Sequence, residues 1–230
     1  MPRFRVPEAT IERLSIYLRS IRGLNETRIL PSQELAELVG TSDAQVRRDL
    51  SYFGEFGVPG QGYRVGKLKE EISRILGVDS IWWIALVGVG NLGAALLAYP
   101  GFKRQGLRIK AAFDNDLSKI GKIWQGVRIQ DVEKIPEVLS SQGIKMGVIA
   151  TPVSAAQEVT DKLIEGGVKG ILNFAPVRIL IPEGVKLRNV DLSIELSALS
   201  YFLGNTGVSG EAKEILGTRQ QTEQTKKDRE

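Results

Sequence analysis

The stretch Ile81–Pro100, IWWIALVGVGNLGAALLAYP, constrains this chain more than any other. An apolar run, Ile84 to Val87, leads straight into Gly88-Val89-Gly90-Asn91-Leu92-Gly93, and an Ala/Leu-rich segment follows. That order predicts strand, tight turn and helix, in which backbone N–H groups and the helix N-terminus cradle a pyrophosphate. Gly88 then makes the turn, Gly90 admits the phosphate and Gly93 lets the helix lie close to the sheet. The glycine pattern alone is weak evidence, since some matches are ordinary β–α turns. Its flanks add to it. A second apolar run, Ile109–Phe113, ends in Asp114, 21 residues past Gly93, where a carboxylate for ribose hydroxyls belongs.

Composition narrows what such a site can do. The chain of 230 residues has no cysteine and no histidine. Zinc and most transition metals lose their usual ligands, and a Ser-His-Asp triad or a histidine acid for hydride transfer is excluded. A binding or sensing role is thereby favoured over catalysis. No apolar run approaches the eighteen or so residues of a membrane span, and the first residues lack the apolar core of a signal peptide. A cytoplasmic protein with no membrane partner and no metal is expected. Net charge is +4, yet residues 1–80 carry 12 basic and 11 acidic groups. A nucleic-acid footprint must therefore come from local placement and dimer symmetry.

The first eighty residues predict four helices. Residues 7–22 place Ile11, Leu14, Leu18 and Ile21 on one buried face, with Pro7 at the first position. Arg13, Arg19 and Arg22 read as solvated charges. Pro31-Ser32 opens a helix over 33–39 that Gly40 ends, and Ser42 with Gln45 has the spacing of a capping box for the next. Two short helices joined by a glycine turn predict a helix-turn-helix. In the second, Val46, Leu50 and Phe53 face inward, while Gln45, Arg47, Arg48, Ser51 and Tyr52 present groups that bond base edges and phosphates. Asp43 and Asp49 on the same helix weigh against that reading. Residues 54–65, GEFGVPGQGYRV, suggest a glycine-rich hairpin, a wing bearing Tyr63 and Arg64, or a plain loop. A fourth helix spans 67–76, and 78–80 form a linker.

From Ile81 strands alternate with helices, which predicts a parallel sheet. Strands are expected at 82–87, 108–113, 127–129, 145–149, 170–174 and 186–190, with helices near 91–98, 131–142 and 153–165. Thr151-Pro152 and Asn173 lie at the carboxyl ends of strands, where ligands bind in open α/β sheets. Asp191–Leu203 predicts a helix apolar on more than one side, suited to insertion into a partner.

Several motifs resemble, in order, those of the Rex family of bacterial redox-sensing repressors. They are QVRRDLSYFGEFGVPGQGY (Gln45–Tyr63), GVGNLG (Gly88–Gly93), AYPGF (Ala98–Phe102), GILNFAP (Gly170–Pro176) and NVDLS (Asn189–Ser193). The resemblance implies an α/β chain: an N-terminal winged helix-turn-helix domain (1–78), a Rossmann-like parallel-sheet domain for NAD(H) (79–190), a domain-swapped dimerisation helix (191–205) and a flexible polar tail (206–230). It implies a homodimer that binds operator DNA when free or with NAD+ and is released by NADH. Arg47 and Arg48 would touch DNA, with Tyr63 in the wing. Gly88, Gly90, Asn91, Leu92 and Gly93 would hold the dinucleotide with Asp114, Thr151, Pro152, Asn173 and Tyr99. Arg19, Tyr99 and Asp191 would form the redox switch. Some relatives carry a basic residue where this chain has Asn91 and an aromatic one where it has Leu192.

Two other readings share these features. One is an NAD-dependent oxidoreductase using a Tyr/Lys pair. Tyr63 and Lys67 have the required spacing but precede the glycine turn, and Pro100-Gly101 interrupts Tyr99 and Lys103. The other is a winged-helix regulator sensing another nucleotide, such as NADP or a CoA derivative. Asp114 and Asp116 would repel a 2′-phosphate, with Arg108 and Lys119 as possible compensation. The reading carried forward is a non-enzymatic repressor that senses NADH against NAD+.

Overall fold

The computed structural model describes residues 6–58 and 60–205, so the expected polar tail lies outside the described residues. The chain divides into two compact units, Met1–Ile84 with Ala95–Lys110, and Ala85–Ala94 with Ala111–Glu230.

The first unit opens with α1 (Glu8–Ile21), then β1 (Ile29–Leu30), α2 (Ser32–Val39) and α3 (Asp43–Ser51). Pro7 caps α1 rather than starting it. Ser42 caps α3, its hydroxyl accepting the Gln45 N–H at 3.2 Å. The helices pack because Leu14, Tyr17, Ile21, Leu35, Val46 and Leu50 are each at most 2% exposed. Each such side chain is worth about 1.5–3 kcal/mol by removal from water. Ile11 points outward while Thr10 and Tyr17 turn in, so the buried face of α1 is rotated from the expected one.

The glycine-rich segment is not the expected self-contained hairpin. One antiparallel bridge, Val58 with Gly62, closes a tight loop. The strand that leaves it, β2 (Tyr63–Arg64), pairs antiparallel with β1, upstream of α2. Glycines offer no cross-strand side-chain pairs, so pairing goes to the register that buries Leu30 beside Tyr63. Next comes α4 (Val65–Leu76).

The sheet begins with β3 (Trp82–Val87), followed by α5 (Asn91–Ala98) and a short α6 (Pro100–Arg104). Then come β4 (Leu107–Asp114), β5 (Ile123–Trp124), β6 (Val127–Asp131), α7 (Ile135–Gln142) and β7 (Met146–Ile149). The described part ends with α8 (Ala156–Glu165), β8 (Gly170–Asn173), β9 (Lys186–Asn189) and α9 (Leu192–Asn205). The strand order is β5-β6-β4-β3-β7-β8-β9. β6 pairs parallel with β4, β8 parallel with β7 and β9 parallel with β8, while β5 is an antiparallel edge. Without that edge the chain order across the sheet is 3-2-1-4-5-6, the doubly wound order whose ligand crevice opens where the winding reverses. Here that point lies between β3 and β7. Phe113, Ile135, Leu139, Ile149, Leu163 and Val168, all fully buried, form the core of the second unit.

Candidate nucleotide cavity and helix-turn-helix face

At the reversal point the backbone crowds until only glycine fits. Gly88 has φ +92°, and a Cβ there would lie 2.5 Å from the Ala150 carbonyl oxygen at the end of β7. A Cβ on Gly93 would lie 1.9 Å from the Gly88 oxygen. A Cβ on Gly90 would meet nothing within 4 Å. The three glycines therefore do three jobs: turn, open approach and close packing.

A cavity of about 560 Å³ opens over this turn. Gly88, Gly90, Asp114, Thr151 and Pro152 line it. The Asp114 carboxylate accepts the Val89 N–H at 2.8 Å, the Asp116 N–H at 2.9 Å and the Lys119 ammonium at 3.1 Å. Burial pushes this carboxyl up, but those donors outweigh it and hold Asp114 below the usual carboxylate range. An ionised carboxylate has about four acceptor positions, so room remains for a ribose hydroxyl. Thr151 Oγ1 is buried with no hydrogen-bond partner among the described residues, a costly state for a polar atom. An open glycine, an orphaned hydroxyl at the rim and an anchored acid fit a nucleotide.

Sequence reasoning missed the opposite wall, where Val132, Ala155 and Val159 offer an apolar face to a flat base. Beside it Lys162 binds Glu133 at 2.8 Å and Glu158 at 3.1 Å. Val132 lies just past the carboxyl end of β6, the strand-end rule that singled out Thr151.

Other expected cofactor residues are placed differently. Asn91 and Leu92 are exposed on the first turn of α5 and Gly93 is buried beneath it. Asn173 is fully buried, its amide donating to the Ala175 carbonyl and to Asn189 Oδ1 while its oxygen accepts the Ala175 N–H. It ties the ends of β8 and β9 and does not line the cavity. Tyr99 is half exposed and lines a separate cavity of about 430 Å³ in the first unit, together with Arg19. Arg22, Arg104 and Gln105 also face that space. Asp191 accepts the Ser193 N–H at 2.9 Å and its hydroxyl at 2.6 Å at the start of α9.

The outer face of α3 exposes Arg47, Arg48, Ser51 and Tyr52. Arg47 is steadied by Asp43 at 2.6 Å and by Ser32 Oγ at 3.0 Å. A groove of about 520 Å³ runs between this face and the glycine loop. Two expected DNA-facing residues, Tyr63 and Gln45, are placed otherwise. Tyr63 is 8% exposed, packed in the core, and burial raises its pKa. Its ring stays inside because β2 pairs with β1.

Asp49, which had counted against DNA reading, faces inward with a fully buried side chain. Its Oδ1 accepts from Thr10 Oγ1 at 3.0 Å, Arg13 Nη2 at 2.7 Å and Gln45 Nε2 at 2.9 Å. Its Oδ2 accepts from Arg13 Nε at 2.6 Å and the Tyr17 hydroxyl at 2.7 Å. Arg13 is therefore no solvated charge, and the Gln45 amide turns to Asp49, away from the outer face. Burial pushes the Asp49 carboxyl up, but the Arg13, Tyr17, Gln45 and Thr10 donors prevail and hold it below the usual range. A depressed folded pKa adds stability above the unfolded value of about 3.9, lost as pH falls through the folded one. The thermal stability of the first unit is expected to fall as pH drops below about 5. Asp49→Asn should flatten that slope in pH-dependent melting of the two proteins.

Fold and cavity define a class: a helix-turn-helix unit joined to a doubly wound nucleotide-binding domain. Residues 79–177 match the model for the CoA binding domain, and residues 5–51 that for the putative DNA-binding protein N-terminus. A redox-sensing transcriptional repressor Rex of Pelotomaculum thermopropionicum is 48% identical over 88% of this chain and 96% of its own. That of Desulfitobacterium hafniense is 47% identical over 89% and 98%. The crystal structure of RSP in complex with β-NAD+ and operator DNA superposes with TM-score 0.84 at 34% identity, covering 91% of this chain and 97% of that one. RSP with β-NADH superposes at 0.79 with 33% identity, covering 90% and 98%. The chain belongs to the Rex family of redox-sensing transcriptional repressors. Among the described residues no helix is long and apolar enough to cross a membrane, and no cluster of acidic groups is placed to hold a metal ion.

Proposed function

We propose that this chain is a homodimeric repressor that binds operator DNA when free or with NAD+ and lets go when NADH binds. It catalyses no reaction. The observation that carries the reading is the cavity at the winding reversal, with glycines crowded to backbone contact and an orphaned Thr151 hydroxyl at its rim. The complexes of the related RSP with NAD+, NADH and operator DNA support it. Gly88, Gly90 and the first N–H groups of α5 would hold the pyrophosphate, and Asp114 the adenosine ribose. NAD(H) supplies the signal, a nicotinamide that is cationic when oxidised and neutral when reduced. Arg47, Arg48, Ser51 and Tyr52 would meet the operator, and Arg19, Tyr99 and Asp191 would respond to the ring. An Asp191–Arg19 ion pair between subunits would hold one arrangement, redistributed when the ring enters. Ligand control then requires only different affinities for the two arrangements, typically about 1–3 kcal/mol. The polypeptide divides as 1–78 for DNA, 79–190 for the dinucleotide and 191–205 for the partner.

Calorimetric titration with NADH, NAD+, NADPH and CoA tests this reading. NADH should bind, with NADPH weaker by at least about tenfold, because the acids at 114 and 116 repel a 2′-phosphate. Lys119, engaged by both carboxylates, offsets only part of that. Tight CoA binding with none of NADH would favour the second reading, which the match of residues 79–177 to the CoA binding domain keeps in view. A band-shift assay on operator DNA should show release by NADH and none by NAD+.

A further inference from the structure

Asp49 poses a question that stability does not answer. A buried ion pair replaced by apolar side chains of similar volume is often equally or more stable, so five donors on one carboxylate call for another reason. Their property is direction. Apolar contacts let a helix slide and turn, whereas the planar Arg13 fork fixes the angle of approach. On α3, Asp49 follows Arg47 and Arg48 directly, and successive residues are about 100° apart around the axis. Fixing the roll of Asp49 therefore fixes where both arginines point. Helix α3 packs far more extensively on α2 than on α1, and the carboxylate adds a directional tie to α1 beside the apolar contacts of the shared core. Thr10, Arg13 and Tyr17 form one stripe of α1, spaced three and four apart. Arg19, two residues beyond Tyr17, reaches from the last turn of the same helix into the cavity that Tyr99 lines.

We propose that Asp49 is the positioning residue through which α1 sets the roll of α3, so that a change at the Arg19 end reaches the DNA-reading face. The inference rests on the operator and NADH reading above and adds the joint that links them.

The test uses full-length Asp49→Asn, which keeps size and removes the charge. On the free protein, amide hydrogen exchange in α3 should rise. The ratio of operator affinities without and with NADH should fall from the roughly 5–150-fold expected of such coupling to within about threefold, while calorimetric NADH affinity stays unchanged. A carboxylate with only a structural role would lower both operator affinities by one factor. A retained ratio overturns the proposal, and so does unaltered exchange in α3. Should Asp49→Asn fail to fold, the set Thr10→Val, Arg13→Met, Tyr17→Phe and Asp49→Leu replaces the carboxylate together with its donors on α1 by apolar groups and leaves no buried hydroxyl without an acceptor, a change such sites often tolerate. Its ratio should collapse in the same way. Wild-type protein insensitive to NADH would overturn the functional reading before any variant is made, whereas a ratio kept by the variants overturns the joint alone.

Discussion

Gly93→Ala is expected to weaken NADH binding by more than about 100-fold, close to 2.7 kcal/mol. The new methyl would sit 1.9 Å from the Gly88 oxygen and 2.9 Å from its carbonyl carbon. Both are backbone atoms, so no side chain can swing aside. Helix α5 must then lift from the turn by an ångström or more, taking the N–H groups of Asn91 and Leu92 with it. Hydrogen bonds to a charged group contribute about 1.5–3 kcal/mol each and weaken steeply with misalignment. Overpacking adds about 1–3 kcal/mol of instability, visible as a lower melting temperature. Gly90→Ala is the control. Nothing lies within 4 Å of its added methyl, so folding should be unaffected and only the approach of the phosphate impeded. Because the α3 face lies wholly in the other unit, Gly93→Ala should still bind operator and no longer release it with NADH. Calorimetry and a band-shift titration read the two effects separately. Full-strength NADH binding by the variant would remove the glycine turn from the site.

Why the turn was legible and other features were not follows from the range of the forces involved. Strand β3 and helix α5 match their expected bounds because the pattern is local: four apolar residues, a glycine turn, then helix formers. Asp114 was legible too, since a doubly wound unit fixes the distance from turn to second acid. Features set by distant partners were not. Asp49 reads as a surface charge on a polar helix face until α1 supplies Thr10, Arg13 and Tyr17, 32–39 residues away. Tyr63 looks like a wing residue until β2 finds β1. Asn173 sits at a strand end, as ligand residues do, but its neighbours Ala175 and Asn189 use its hydrogen bonds. Strand β5 is two residues long and α6 five, too short for any periodicity to announce them. Helices 131–142 and 153–165 start a turn late because a 3₁₀ turn precedes each.

If the proposed dimer forms through α9, Leu196→Glu combined with Leu199→Glu is expected to turn it into monomers. Leu192, Ile194, Leu196, Leu199, Tyr201, Phe202 and Leu203 of α9 are each more than half exposed within one chain. A helix apolar on more than one side needs more than one covering surface, and a run of exposed apolar side chains this long marks an interaction surface. A second copy is the simplest partner, because a two-fold interface buries the same helix twice. Each buried leucine contributes about 1.5–3 kcal/mol, and both copies carry the change. Losing four leucines therefore weakens association by at least about 6 kcal/mol, or more than 10⁴-fold. Sedimentation velocity at micromolar concentration should show a single monomer boundary. Operator affinity should fall with it, since helix-turn-helix dimers reach two half-sites about one DNA turn apart and a lone unit reaches one. Calorimetry should still detect NADH, because Gly88, Gly90 and Asp114 of the glycine-turn cavity lie far from the substituted helix in sequence and carry no change. A double variant that stays dimeric would move the interface off α9. It would also strip the proposed switch of its geometry, for Asp191 immediately precedes this helix and would reach Arg19 of another subunit only if α9 crossed to it.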